Sequence, residues 1–157
     1  MSKALYAWRQ NWYSLPVVIL LVSLDQLTKT VAAATLRSPH FYLNLLQLYY
    51  TENSGANFSV GANLPPTMRF WLFTVGFGLV VVGLQIYIMT HRHRTLTIIA
   101  TSMVIAGGGS NVLDRIIHGG AVVDFISVGL GFFNLADLLV GSGLILLIFG
   151  NHNHSQS

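Results

Sequence analysis

Of 157 residues, 53% are hydrophobic and 8% are charged, against about a quarter charged in an ordinary soluble domain, so the chain reads as a membrane protein. It contains no cysteine, which removes disulfide frameworks, thiolate nucleophiles and cysteine metal sites. A formal net charge of +3 with no clustered basic face excludes nucleic-acid binding, because phosphate recognition needs such a face.

A bilayer core of about 30 Å calls for about 20 mostly apolar residues in a helix. The first candidate span, 15–34, carries Asp25 and Lys29 at helical spacing. That pairing argues for a retained working helix rather than a cleaved signal sequence, although Lys3 and Arg9 precede it and Ala32, Ala33 and Ala34 offer small residues. The segment 35–67 holds Phe41, Tyr42, Tyr49 and Tyr50, aromatics that favour the headgroup layer. Within it 42–51 reads as a short strand, 53–57 as a turn, and Pro65-Pro66 as a stop. The second span, 70–89, is uncharged and ends at His91-Arg92-His93-Arg94. The third, 95–113, turns glycine-rich at Gly107-Gly108-Gly109 before Asn111, Asp114 and Arg115. In the segment 116–131 the β-branched run 121–128 lies between glycines and reads as a strand or hairpin arm. The fourth span, 132–149, contains Asp137.

These elements predict a single membrane domain over 1–157, mainly α and polytopic, with four transmembrane helices and both termini on one side. Lys3, Arg9, Arg92 and Arg94 share that side, against Arg37, Arg69 and Arg115 on the other, or an equal four if Lys29 is counted there. The dense basic loop at 91–94 places the termini in the cytoplasm.

Acids inside a membrane are costly unless paired or facing water, so each needs a partner. Asp25 has Lys29 one turn later, Asp114 has Arg115 beside it, and Glu52 lies in a loop, solvated or bonded to nearby backbone. By subtraction, Asp124 and Asp137 lack an adjacent cation. Two such carboxylates converging at one membrane surface share a proton, because like charges push one pKa up. Water-activating acid pairs of aspartic proteases work this way.

Plainer readings stand beside this one. Asn134 and Asp137 fit an N-terminal helix cap, and their face continues to Gly141, where a small residue admits another backbone. Residues 107–109 fit close helix packing, and Asn53, Gly55 and Asn111 fit turn and packing roles. His91, His93, His152 and His154 read as solvated basic surface, and no His-Glu-x-x-His pattern is present, so neither metal nor cofactor is expected. An ion-coupled transporter using Asp25, Lys29 and Asp137 as a relay is the alternative function.

Five blocks in chain order resemble the lipoprotein signal peptidase family, also called signal peptidase II. They are Asp25-Gln26-x-x-Lys29, Asn53-x-Gly55-Ala56-x-Phe58, Gly108-x-x-Asn111-x-x-Asp114-Arg115, Val122-Val123-Asp124-Phe125 and Phe133-Asn134-Leu135-Ala136-Asp137. The resemblance implies an aspartic endopeptidase of the bacterial inner membrane with four transmembrane helices and a small periplasmic β-sheet cradle. It implies cleavage of diacylglyceryl-modified prolipoproteins just before the lipidated cysteine, near the periplasmic surface, by a monomer in contact with membrane lipid. The catalytic pair maps to Asp124 and Asp137. Site-supporting positions map to Asp25, Lys29, Asn53, Gly55, Ala56, Phe58, Asn111, Asp114, Arg115, Asn134 and Ala136. Asn57 and Ser110 depart from the family pattern, and Gly129-Leu130-Gly131 stands where the family has a longer flap.

Overall fold

A computed structural model describes residues 11–42, 46–55, 61, 63–91, 93–129 and 131–150. Helix α1 is Ser14–Thr35. Strands β1 (His40–Tyr42) and β2 (Leu46–Asn53) follow, then α2 (Pro66–Thr90) and α3 (Thr95–Ile117). Strands β3 (Val122–Ser127) and β4 (Phe132–Phe133) precede α4 (Leu135–Gly150). By length and composition, α1, α2 and α3 can cross a membrane, whereas α4 is a shorter apolar helix of 16 residues.

Three boundaries differ from the sequence-based expectation. Pro65-Pro66 starts a helix instead of stopping the chain: Pro66 occupies the first turn of α2, where its missing N–H leaves no intrahelical bond unmade. The helix then passes through a π-helical stretch, Phe70–Gly76. Helix α3 runs past 113 to Ile117, so Asp114 and Arg115 are helical. The fourth helix begins at Leu135 rather than 132, because Phe132 and Phe133 are strand residues paired with Ser127 and Ile126.

Helix α3 is the centre of the bundle and packs against each of the other three. Its inward stripe recurs at Ile98, Ser102 and Ile105, the helical repeat of one buried face. Contact with α4 is close because both surfaces lack side-chain bulk there. A Cβ at Gly107 would collide with the carbonyl oxygen of Ala136, and one at Gly143 would lie 2.6 Å from that of Ala100. Small residues of this kind let helices approach where lipid gives no hydrophobic drive. The close-packing reading thus holds at Gly107. Gly141 is different, since a Cβ added there would meet nothing within 4 Å, and Gly143 makes the approach instead. At the opposite end from the sheet, the buried Asn11 donates from Nδ2 to the carbonyls of Ile88 and His91, both at 2.7 Å. It thereby satisfies carbonyls that the end of α2 leaves open.

The strands form one antiparallel sheet in the order β1-β2-β3-β4. The single strand expected over 42–51 is therefore a hairpin, β1–β2, with Phe41 opposite Gln47. Strand β3 lies where the β-branched run predicted it and pairs Asp124 with Thr51 and Val122 with Asn53. That register puts Asn53 diagonal to Asp124 on the same face, within reach of a polar side chain.

Candidate active site

Asp124 is brought in by β3 and Asp137 by the first turn of α4, and Asn134 ties them together. Its Nδ2 donates to Asp124 Oδ1 at 2.8 Å, while its Oδ1 accepts from the Asp137 backbone N–H at 3.0 Å. In return Asp137 Oδ2 accepts from the Asn134 N–H at 3.3 Å. These reciprocal bonds are a helix N-cap, so the capping reading holds and supplies the geometry of the pair. The remaining oxygens are also held. Asp124 Oδ2 accepts from Asn53 Nδ2 at 3.2 Å, and Asp137 Oδ1 from Asn111 Nδ2 at 3.0 Å.

Asp124 is 2% exposed. Burial, and after it the negative charge of Asp137, push its carboxyl up from 3.8 to about 7, against the lowering effect of the Asn53 and Asn134 bonds and of Lys29. Asp137 is half-buried and faces a groove of about 330 Å³ between α2, α3 and α4. Asn111 and Arg115 share the polar end with Asp137, and Phe77, Val80, Val81 and Leu84 form an apolar wall. A mostly apolar groove whose polar end carries one acid, an amide and a guanidinium suits a largely apolar ligand with one polar group.

Behind the pair lies a buried ionic layer. Lys29 Nζ is 2.6 Å from Asp25 Oδ2 and 2.8 Å from Asp114 Oδ2, and it donates to Asn111 Oδ1 at 3.0 Å. The expected Asp25–Lys29 pair is present, but Asp114 does not pair with Arg115. Adjacent helix residues point about 100° apart, so Asp114 turns to α1 while Arg115 turns to the loop after β2. There Arg115 Nη2 donates to the Gly55 carbonyl at 3.1 Å, and its guanidinium lies over the Phe73 ring at 5.8 Å. Asn53 Oδ1 accepts from the Gly55 N–H at 3.0 Å, which shapes that loop. Ala136 is fully buried and its N–H donates to Asp25 Oδ1 at 2.8 Å. Ala56 and Phe58 lie outside the described residues, as do Asn57 and Leu130.

Several details differ from expectation. Ser110, a departure from the family pattern, is fully buried and donates to Asp25 Oδ2 at 2.6 Å. Gln26 donates to Ser110 Oγ at 2.9 Å and to Asp114 Oδ1 at 2.7 Å. Both belong to the ionic layer; the signal for Gln26 was its place one residue after Asp25, whereas partners 84 and 88 positions away leave no local trace. Phe73 was likewise missed within an unbroken apolar run. Glu52 is exposed, as the solvated reading expects, but lies in β2 rather than a loop; it accepts from the Tyr50 hydroxyl at 2.6 Å, a bond that pushes that hydroxyl up to about 12. His93 is half-buried against the Tyr87 ring, 4.9 Å between centroids, and is not free surface.

Residues 17–151 match the protein family described as Signal peptidase (SPase) II. The lipoprotein signal peptidase of Streptococcus agalactiae serotype Ia is 33% identical over 152 residues, covering 87% of this chain and 95% of that protein. That of Azoarcus sp. is 37% identical over 145 residues, covering 86% and 80%. A bacterial membrane enzyme solved by the in meso method at 2.3 Å superposes with a TM-score of 0.77 at 25% identity, covering 92% of this chain and 90% of that one. These likenesses lend no support to an ion-coupled transporter. With a match that runs from α1 to the end of α4, the chain belongs to the signal peptidase II family.

Proposed function

We propose that the protein is an aspartic endopeptidase of the bacterial inner membrane that frees diacylglyceryl-modified prolipoproteins of their signal peptides, cutting just before the lipidated cysteine. The observation that carries this reading is the joining by Asn134 of Asp124 to Asp137, which itself faces a mostly apolar groove. Asp124, with its carboxyl near 7, holds the proton of the pair, and Asp137 is the base. Asp137 takes a proton from water as the water oxygen attacks the scissile carbonyl. Asp124 then gives its proton to the departing amine, and exchange with solvent resets the pair. Asn53, Asn111 and Asn134 keep the carboxylates oriented, and Arg115 fixes the loop that carries Gly55 beside them. The reaction needs no metal or cofactor.

In this arrangement all four helices cross the bilayer, the termini are cytoplasmic and the sheet rests on the periplasmic face. The acyl chains stay in lipid beside the groove, so the membrane sets the depth of the cysteine and contributes to positioning.

The test is a gel-shift assay of purified protein in detergent, with diacylglyceryl-modified prolipoprotein run beside the unlipidated precursor. Only the lipidated form is cleaved, and Asp124→Asn and Asp137→Asn each lower kcat by about 10²–10⁴-fold. For the parent protein kcat declines as the pH rises past about 7, when Asp124 loses its proton. Folded Asn variants that process substrate at near parental rate overturn the assignment.

A further inference from the structure

We infer that Lys29 is a positioning residue: one buried ammonium on α1 fixes the relative placement of the two acids through three separate arms. The inference rests on Asp124 and Asp137 being the reacting pair. The first arm runs through Asp25, whose Oδ2 is 2.6 Å from Lys29 Nζ and whose Oδ1 accepts the Ala136 N–H at 2.8 Å. Ala136 immediately precedes Asp137. The second runs through Asp114, whose Oδ2 is 2.8 Å from Nζ and accepts the Val123 N–H at 3.0 Å. Val123 immediately precedes Asp124. The third is Asn111, whose Oδ1 accepts from Nζ at 3.0 Å, which turns its Nδ2 toward Asp137 Oδ1.

An ammonium has three hydrogens and no acceptor, and here each hydrogen starts one arm. Asp25 and Asp114 are fully buried and Lys29 is 3% exposed, so the layer is dry. A plain helix-stabilising pair needs one carboxylate; a second buried carboxylate on the same cation adds desolvation that the Coulomb attraction does not plainly repay. What the second carboxylate does supply is a grip on β3, matching the grip of the first on α4. Both grips use backbone N–H groups, which fix main chain rather than a rotamer. Gln26 and Ser110 occupy further lone pairs of the two carboxylates, so neither is free to swing away from its amide.

The experiment uses the full chain in detergent with the lipidated precursor, and reads kcat, KM, the pH profile and amide hydrogen exchange. In Lys29→Met, kcat falls by about 100-fold, the scale of a misplacement of about 1 Å, while KM stays within about threefold because the apolar wall of the groove, Phe77, Val80, Val81 and Leu84, is untouched. Exchange protection falls at Val123 and Ala136. The decline of kcat at high pH moves upward, since Lys29 lowers the Asp124 carboxyl, which also faces Asp137 of α4 and Arg115 of α3. Propylamine supplied to Lys29→Ala restores part of kcat and propanol does not, since only the amine carries the charge. Asp25→Asn is close to isosteric and decides the matter if the Lys29 variants do not fold: it lowers kcat by about tenfold at unchanged KM. A folded Lys29→Met or Asp25→Asn with parental kcat, or with a loss in KM alone, overturns the inference. Near-parental activity in Asp124→Asn refutes the acid pair itself, and exchange at Val123 and Ala136 then still tests the arms.

Discussion

An Asp124→Asn variant is expected to be inactive and yet to outlast the parent protein in heat by a margin that grows with pH. Burial and the charge of Asp137 raise the Asp124 carboxyl from 3.8 to about 7. An acid with a higher pKa folded than unfolded binds more protons in the native state. Its favourable contribution is complete below the unfolded value and is lost as pH rises through the folded one. At about 1.36 kcal/mol per unit, the interval corresponds to about 4 kcal/mol, of which about 2–3 kcal/mol falls between pH 5 and pH 8. The amide variant lacks this slope. It also loses one acceptor for Asn53 or Asn134, but that cost is the same at both pH values and cancels in the difference. For a chain of this size 1 kcal/mol moves the midpoint by about 2–4 °C, so the gap between variant and parent widens by about 5–10 °C from pH 5 to pH 8. Thermal unfolding of both proteins in one detergent at the two pH values reads it directly. Parallel pH profiles, or a gap that narrows as pH rises, refute the reasoning.

Two further substitutions probe how the site is carried. Gly143→Ala forces a Cβ to within 2.6 Å of the Ala100 carbonyl and 2.8 Å of Val104, and is expected to cost about 1–3 kcal/mol, whereas Gly141→Ala meets nothing within 4 Å and raises stability by up to about 1 kcal/mol through helix propensity; equal midpoints for the two speak against the close α3–α4 crossing. Asn134→Ala removes the cap of α4 and the link between the acids, and is expected to cost about 1–2 kcal/mol of stability together with at least about tenfold in kcat. A stability loss without a rate loss in steady-state cleavage separates capping from orientation.

The apolar runs made the helical framework legible, because the bilayer length requirement is coarse and 14–35 and 95–117 meet it plainly. Finer features failed for local reasons. Phe132 and Phe133 are as apolar as the helix after them, yet Gly131, at φ +141°, is followed by a strand, and Asn134 is where the helix is capped. Pro65-Pro66 was ambiguous because proline both ends one helix and opens another. Within the site, charge subtraction isolated Asp124 and Asp137, and the structure brings both onto Asn134. The pairing of Asp114 was misread by sequence adjacency, which on a helix separates side chains instead of joining them. Lys29 was legible as the partner of Asp25 and illegible as the partner of Asp114, because the second contact exists only once α1 and α3 are packed.

Among the described residues helix α4 has 16, about 24 Å at 1.5 Å per residue, whereas lipid tails fill about 30 Å. Where it crosses in the proposed arrangement, the shortfall of about 6 Å draws the surrounding leaflet inward or lets headgroups and solvent dip toward the helix start. Asp137 sits in the first turn of that helix. Under the proposed function, a pair that needs water then stands at a dimple in the membrane, and thicker bilayers would starve it.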